Sequence, residues 1–247
     1  MRTKLLVFPP ETLRAAMREG WLDISSSGKY TLSTDRSLLV ASVAQGVLFG
    51  LLGWWVRLHP VSAIDFTITR TLQKTRSPLV RGATFVLSYT NAHPVMNVLS
   101  IPLAAFLWRM HLRLEAATVL VAVAATNLFR QIVQRVVNRP RPSPLFVRVH
   151  HKAHRQSFPS GHVLSSVTLW GWLLVLRSLF LKEIPLWQKL LFSIPVLFIA
   201  TIGPTRIYMG EHWATDVLGG YLLGGSWLSL TFLLYRTLKK RGILASG

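Results

Sequence analysis

The residues of this chain able to carry chemistry are two histidines, an aspartate and a few arginines, all at the edges of apolar runs. The first group is Phe158-Pro159-Ser160-Gly161-His162, which opens the apolar run 163–181. A helix start presents unpaired N–H groups, a glycine lets a ligand approach the backbone, and a serine caps or donates, so this junction suits an anion. His162 is the one member that moves a proton near neutral pH. The second group is His212 and Asp216, which share a face of a helix beginning near Glu211. A carboxylate beside an imidazole holds the proton of one ring nitrogen and leaves the other free to attack. The competing reading is a pair that only caps and orders the helix start. The third group is Arg139 and Arg141, within Arg139-Pro140-Arg141-Pro142, together with Arg206. A guanidinium matches phosphate oxygens bidentately and keeps its charge. A lone arginine at a membrane boundary more often snorkels to lipid headgroups.

The elements that must position these groups are hydrophobic. Of the 247 residues 51% are hydrophobic, and 28 Lys+Arg face 9 Asp+Glu. A nucleic-acid binder spreads such charge over a soluble surface, whereas here it lies between long uncharged runs. That pattern fits a membrane protein meeting anionic headgroups or phosphate substrates. Having no cysteine removes disulfides, thiolate nucleophiles and cysteine metal sites. No signal peptide, internal repeat or second domain is evident.

The expected fold is all-α: an integral-membrane bundle of six transmembrane helices with the active site at one membrane face. Residues 1–36 read as a basic cytoplasmic tail with a short helix near 11–19, residues 37–236 as the membrane domain, and 237–247 as a basic tail. The spans are expected at 38–56, 95–108, 115–133, 163–181, 186–202 and 213–235, the second being short against the ~20 residues a bilayer asks for. Short surface helices fill 59–90. Pro185 starts the fifth span, Pro195 kinks it and Gly203-Pro204 ends it. Tyr208 and Trp213 read as an interfacial aromatic belt. Six spans put both basic tails on the cytoplasmic side, and alternation gathers all three polar clusters at the opposite mouth. The loop 134–156, rich in arginine and lysine, opposes the positive-inside tendency, and a phosphate site accounts for it.

The series Arg139-Pro140-Arg141-Pro142, Pro159-Ser160-Gly161-His162 and Arg206-x5-His212-x3-Asp216 resembles the three signature motifs of the type 2 phosphatidic acid phosphatase superfamily, in its integral-membrane branch. The resemblance implies that His212 is the nucleophile and forms a phosphohistidine, that Asp216 orients it, and that His162 protonates the leaving oxygen and later activates water. It implies phosphate-binding roles for Arg141, Arg206, Ser160 and the N–H of Gly161, with Arg139 a further candidate, and neither a metal nor a cofactor. Two positions depart from the family pattern. Gln134 stands where the first motif usually carries lysine, with Arg135 beside it as a substitute charge, and Thr205 replaces the serine that usually opens the third motif.

The expected function is therefore a metal-independent lipid phosphatase in a bacterial inner membrane, its partners being the bilayer and a lipid phosphate rather than nucleic acid. Polyprenyl pyrophosphate, phosphatidic acid and phosphatidylglycerol phosphate are the substrates it allows, with a lean to the first from the compact architecture. A phosphohistidine serves a phosphotransferase equally. The reading from another class is a non-catalytic protein that binds anionic lipids.

Overall fold

Long apolar runs become long helices wherever no proline or glycine pair interrupts them, and the polar junctions between them become the ends of a bundle. The computed structural model describes residues 28–150, 156–180 and 186–243, and among these the chain is helical with no strand. The elements are α1 (Gly28–Leu58), α2 (Ala63–Leu72), α3 (Pro78–Thr90), α4 (His93–Arg109), α5 (Arg113–Val137), α6 (Gly161–Phe180), α7 (Leu186–Tyr208) and α8 (Ala214–Lys240).

Among the described residues five segments are long and apolar enough to cross a membrane: Thr34–Leu58, Arg113–Val137, Gly161–Leu179, Leu190–Tyr208 and Ala214–Lys240. The second expected span is α4, apolar but only 17 residues long, so the helices that meet the length number five rather than six. The short helices expected at 59–90 are α2 and α3. Ser62 caps α2 by accepting from the Asp65 N–H and donating to Asp65 Oδ2 at 2.7 Å, which sets where that helix begins. Most of the expected N-terminal tail, residues 1–27 with the helix near 11–19, lies outside the described residues, as do 244–247. The tail's last part is already helical as the first turns of α1, and α8 runs on to Lys240.

The expected end of the fifth span at Gly203-Pro204 is corrected. Helix α7 continues through Pro204 to Tyr208 and carries Arg206 on its last turn. A proline inside a helix removes a hydrogen bond and crowds the preceding turn. Here the Tyr221 hydroxyl enters the ladder: it accepts from Gly203 N at 3.2 Å and donates to Ile199 O at 2.6 Å, bridging the pair of groups that a regular turn would join directly.

Two apolar clusters hold the bundle. The larger joins α4, α5, α6 and α8 through Met96, Leu107, Val119, Val123, Trp172 and Tyr235. The smaller lies beneath the polar mouth, where Val163, Val167, Ile202 and Val217 join α6, α7 and α8. The far end is pinned by buried Glu115, which accepts from the Tyr235 hydroxyl at 2.9 Å and Lys239 at 2.7 Å. There Asp35 pairs with Arg236 and Lys240, tying α1 to α8. Outward faces such as Val40, Val43, Val47 and Trp54 of α1 are apolar and exposed, as a lipid-facing surface requires.

Candidate active site

All three polar clusters meet at one end of the bundle, and hydrogen bonds join them. The loop before α6 is fastened to α8 by Ser160 N donating to Asp216 O at 3.0 Å. Ser157 fastens the same loop to the first motif, with its N–H on Arg139 O at 2.9 Å and its hydroxyl on Pro140 O at 3.0 Å. Phe158 anchors it from below, buried and stacked on Phe49 at 5.5 Å.

His212 sits in the turn between α7 and α8, buried. Its Nδ1 faces Asp216 Oδ2 at 3.5 Å, and its Nε2 receives Arg141 Nη1 at 3.2 Å. A guanidinium only donates, so Nε2 is the unprotonated nitrogen and Nδ1 carries the proton toward the carboxylate. Burial first, and then the guanidinium groups of Arg141 and Arg206, hold the His212 imidazole well below the usual histidine value. It is therefore a neutral base at physiological pH. Arg141 is half-buried; its Nη1 also donates to Glu211 O at 2.6 Å, and burial lowers its own pKa from the ordinary arginine value.

Asp216 is fully buried and does two jobs. Its Oδ2 accepts the Trp213 N–H at 2.8 Å, capping α8, while its Oδ1 accepts Arg139 Nη1 at 2.6 Å. The carboxylate thus caps α8 while its Oδ2 also faces the His212 ring. Arg139 is buried and spends its guanidinium on protein: Nη1 on Asp216 and Thr215, Nη2 on Asp65 at 2.6 Å, and Nε on Pro60 O at 2.8 Å. These bonds put it on the Asp216 side of the histidine–aspartate pair. Arg206 is buried, its Nη1 donating to Ser88 of α3 and its Nη2 to the Glu211 carboxylate.

Ser160 Oγ and Arg206 Nε are, like His212 Nδ1, buried polar atoms with no hydrogen-bond partner among the described residues. Such groups are costly unless something accepts from them, and both are donors suited to an anion. His162, second residue of α6, is partly exposed at the mouth. Gly161 is the first residue of α6, and a Cβ there would stand 2.5 Å from Arg130 Cδ, so the glycine makes room for an arginine. Arg130 Nη1 donates to Gln134 Oε1 at 3.0 Å, and Gln134 Nε2 donates to Gln156 O at 3.0 Å. The cation that reaches Gln134 is Arg130; Arg135 is exposed and bonds to none of the site side chains.

Sequence reasoning missed Asp65, Ser88, Arg130, Ser157, Thr215 and Glu211, which carry no motif of their own. The belt reading of Tyr208 and Trp213 is also corrected. Both are buried, Trp213 donating to Pro140 O at 3.2 Å and the Tyr208 hydroxyl to Thr75 O at 3.1 Å. Arg130 alone left a signal, standing one helical turn before Gln134.

With this geometry in place, the comparisons define the class. The PAP2 superfamily model matches residues 115–240, and the chain belongs to that family, whose curated relatives here are membrane lipid phosphatases. It is 24% identical over 193 residues to phosphatidylglycerophosphatase B of Bacillus subtilis, covering 76% of this chain and 90% of that one. An undecaprenyl-diphosphatase of Sulfolobus acidocaldarius is 38% identical over 73 residues, 30% of each chain. The crystal structure of a transmembrane PAP2-type phosphatidylglycerolphosphate phosphatase from Bacillus subtilis superposes with a TM-score of 0.70 at 21% identity, covering 82% of this chain and 97% of that one, and shows the shared fold.

Proposed function

We propose that this protein hydrolyses a lipid phosphate through a covalent phosphohistidine, without a metal ion. The observation that carries the reading is the placement of His212, buried, with Nε2 turned to Arg141 and Nδ1 to Asp216. In the first half-reaction Nε2 attacks phosphorus, a P–N bond forms, and the P–O bond to the lipid breaks while His162 delivers a proton to the departing oxygen. In the second, His162 takes a proton from water, the oxygen attacks phosphorus, and the P–N bond breaks to release inorganic phosphate. Arg141, Arg206, Ser160 Oγ and the Gly161 N–H hold the non-bridging oxygens, where fixed donors and cations stabilise the spreading charge. Arg130, reaching Gln134 and lying across Gly161, brings the positive charge that Gln134 lacks.

In this reading α4 is a sixth crossing, about 25 Å long at 1.5 Å per residue. Both tails then lie in the cytoplasm, and the site opens on the other side of a bacterial inner membrane. The relative aligned along most of both chains is named for phosphatidylglycerophosphate, so that lipid leads the substrate panel, followed by phosphatidic acid and polyprenyl pyrophosphate.

The test is phosphate release from that panel in detergent with excess EDTA, wild type beside His212→Ala. Turnover should survive the chelator and fall at least about a thousand-fold in the variant. Undiminished release by His212→Ala would end the phosphohistidine reading.

A further inference from the structure

A second cationic cavity opens beside the site at the same mouth of the bundle. It is a groove of about 790 Å³ between α2 with the turn that follows it and the segment 144–150. Arg70, Lys74, Arg76 and Arg148 line it, all exposed, and no acidic residue is among the lining side chains. None of His162, His212, Arg141 or Arg206 lines it.

The groove has a fixed floor. Buried Gln73 donates Nε2 to Arg148 O at 2.7 Å and to Tyr208 O at 2.9 Å, and its Oε1 accepts Arg148 N at 3.0 Å. His150 N donates to Met209 O at 3.0 Å, so one wall is stitched to the turn that delivers His212. Four like charges from two separate segments are thus held around one cavity, where each repels the others unless an anion enters. The rim is apolar: Leu145 is 88% exposed and Phe146 49%, in a protein whose outer surface meets lipid. Cations below an apolar lip fit a ligand that carries a phosphate at the end of acyl chains, and a free anion would leave that lip unused.

We propose that this groove binds the phosphodiester headgroup of a neighbouring anionic phospholipid, with Leu145 and Phe146 among its chains. The site lies outside the hydrolytic centre and is occupied whether or not His212 turns over. Neither His162 nor His212, the two histidines of the proposed hydrolysis, lines the groove, so the bound lipid is a ligand and not a substrate.

The experiment measures equilibrium binding of a fluorescent phosphatidylglycerol to the full chain in neutral-detergent micelles. Wild type and His212→Ala should bind alike, and phosphatidylcholine should compete poorly. The triple variant Lys74→Gln/Arg76→Gln/Arg148→Gln should bind at least about tenfold more weakly. Lys74→Gln alone, whose side chain makes no hydrogen bond or ion pair with a described residue, should lose about fivefold, which keeps the test sound should the triple variant fail to fold. Wild-type affinity in both groove variants would overturn the proposal, as would equal binding of phosphatidylcholine. Displacement by millimolar inorganic phosphate would overturn the lipid source and leave a free-anion site. Because binding is read with His212→Ala as well, failure here is separable from failure of the hydrolase reading.

Discussion

In the proposed mechanism His212 attacks only while it is uncharged, and its surroundings enforce that at a cost paid in acid. Its folded pKa lies well below the ordinary value, through burial and the facing arginines, whereas in the unfolded chain it returns to about 6.5. The sign follows from linkage. Above pH 6.5 neither state holds the proton and the neutral residue costs nothing. Below it the unfolded chain binds a proton that the folded chain refuses, so stability falls as pH falls, by up to about 1.4 kcal/mol per pH unit. Thermal unfolding in detergent between pH 7 and pH 5 should therefore show a decline that His212→Gln flattens. Parallel declines in the two proteins would mean that the imidazole is not held neutral.

The two short surface helices α2 and α3 look peripheral but hold the arginines from behind, α2 through Asp65 to Arg139 and α3 through Ser88 to Arg206. Asp65 is fully buried, and besides Arg139 it takes the Thr215 N–H at 2.9 Å, so α2 is bolted to the first turn of α8. Removing one partner of a buried pair leaves an uncompensated charge, which costs about 3–5 kcal/mol. Asp65→Asn should lower the melting temperature by that equivalent and reduce kcat more than it changes KM, since Asp216 loses its alignment while the phosphate contacts stay. An unchanged kcat in a folded Asp65→Asn protein would show that α2 is mere scaffolding. This strut marks the limit of what the sequence made legible. The three clusters could be read because residue type and spacing alone constrain them, and alternation of apolar runs was enough to bring them to one mouth. A single aspartate in a ten-residue helix carries no such pattern, and its partner lies 74 positions away. The continuation of α7 through Pro204 was hidden for the same reason, because the hydroxyl that permits it comes from Tyr221 on another helix.

At the scale of the whole bundle, α8 is the axis on which the site is registered, lying against α1 on one side and α6 on the other. In lipid, helices gain little from the hydrophobic effect, so close backbone approach through small residues has to supply the packing. Gly220 and Gly224, one turn apart, give α8 that approach to α6. A Cβ on Gly220 would lie 2.9 Å from Val163 Cβ and 3.0 Å from the Ser160 carbonyl oxygen, and one on Gly224 would lie 2.9 Å from Val167 Cβ. The neighbours at Gly220 are backbone and near-backbone atoms that cannot rotate aside, so Gly220→Ala must push the start of α6 away from α8. That start carries Ser160, Gly161 and His162, and α8 carries Asp216, so the strain falls directly between the second and third motifs. Gly220→Ala should cost about 1–3 kcal/mol of stability and, since a displacement near 1 Å can cost a hundredfold in rate, reduce kcat about ten- to a hundredfold. Gly50 on α1 has no atom within 4 Å of the same position, so Gly50→Ala should leave activity intact and raise stability slightly through helix propensity. Melting temperature and kcat measured together on the two variants decide it: equal effects would mean that the α6–α8 contact does not set the register of the site.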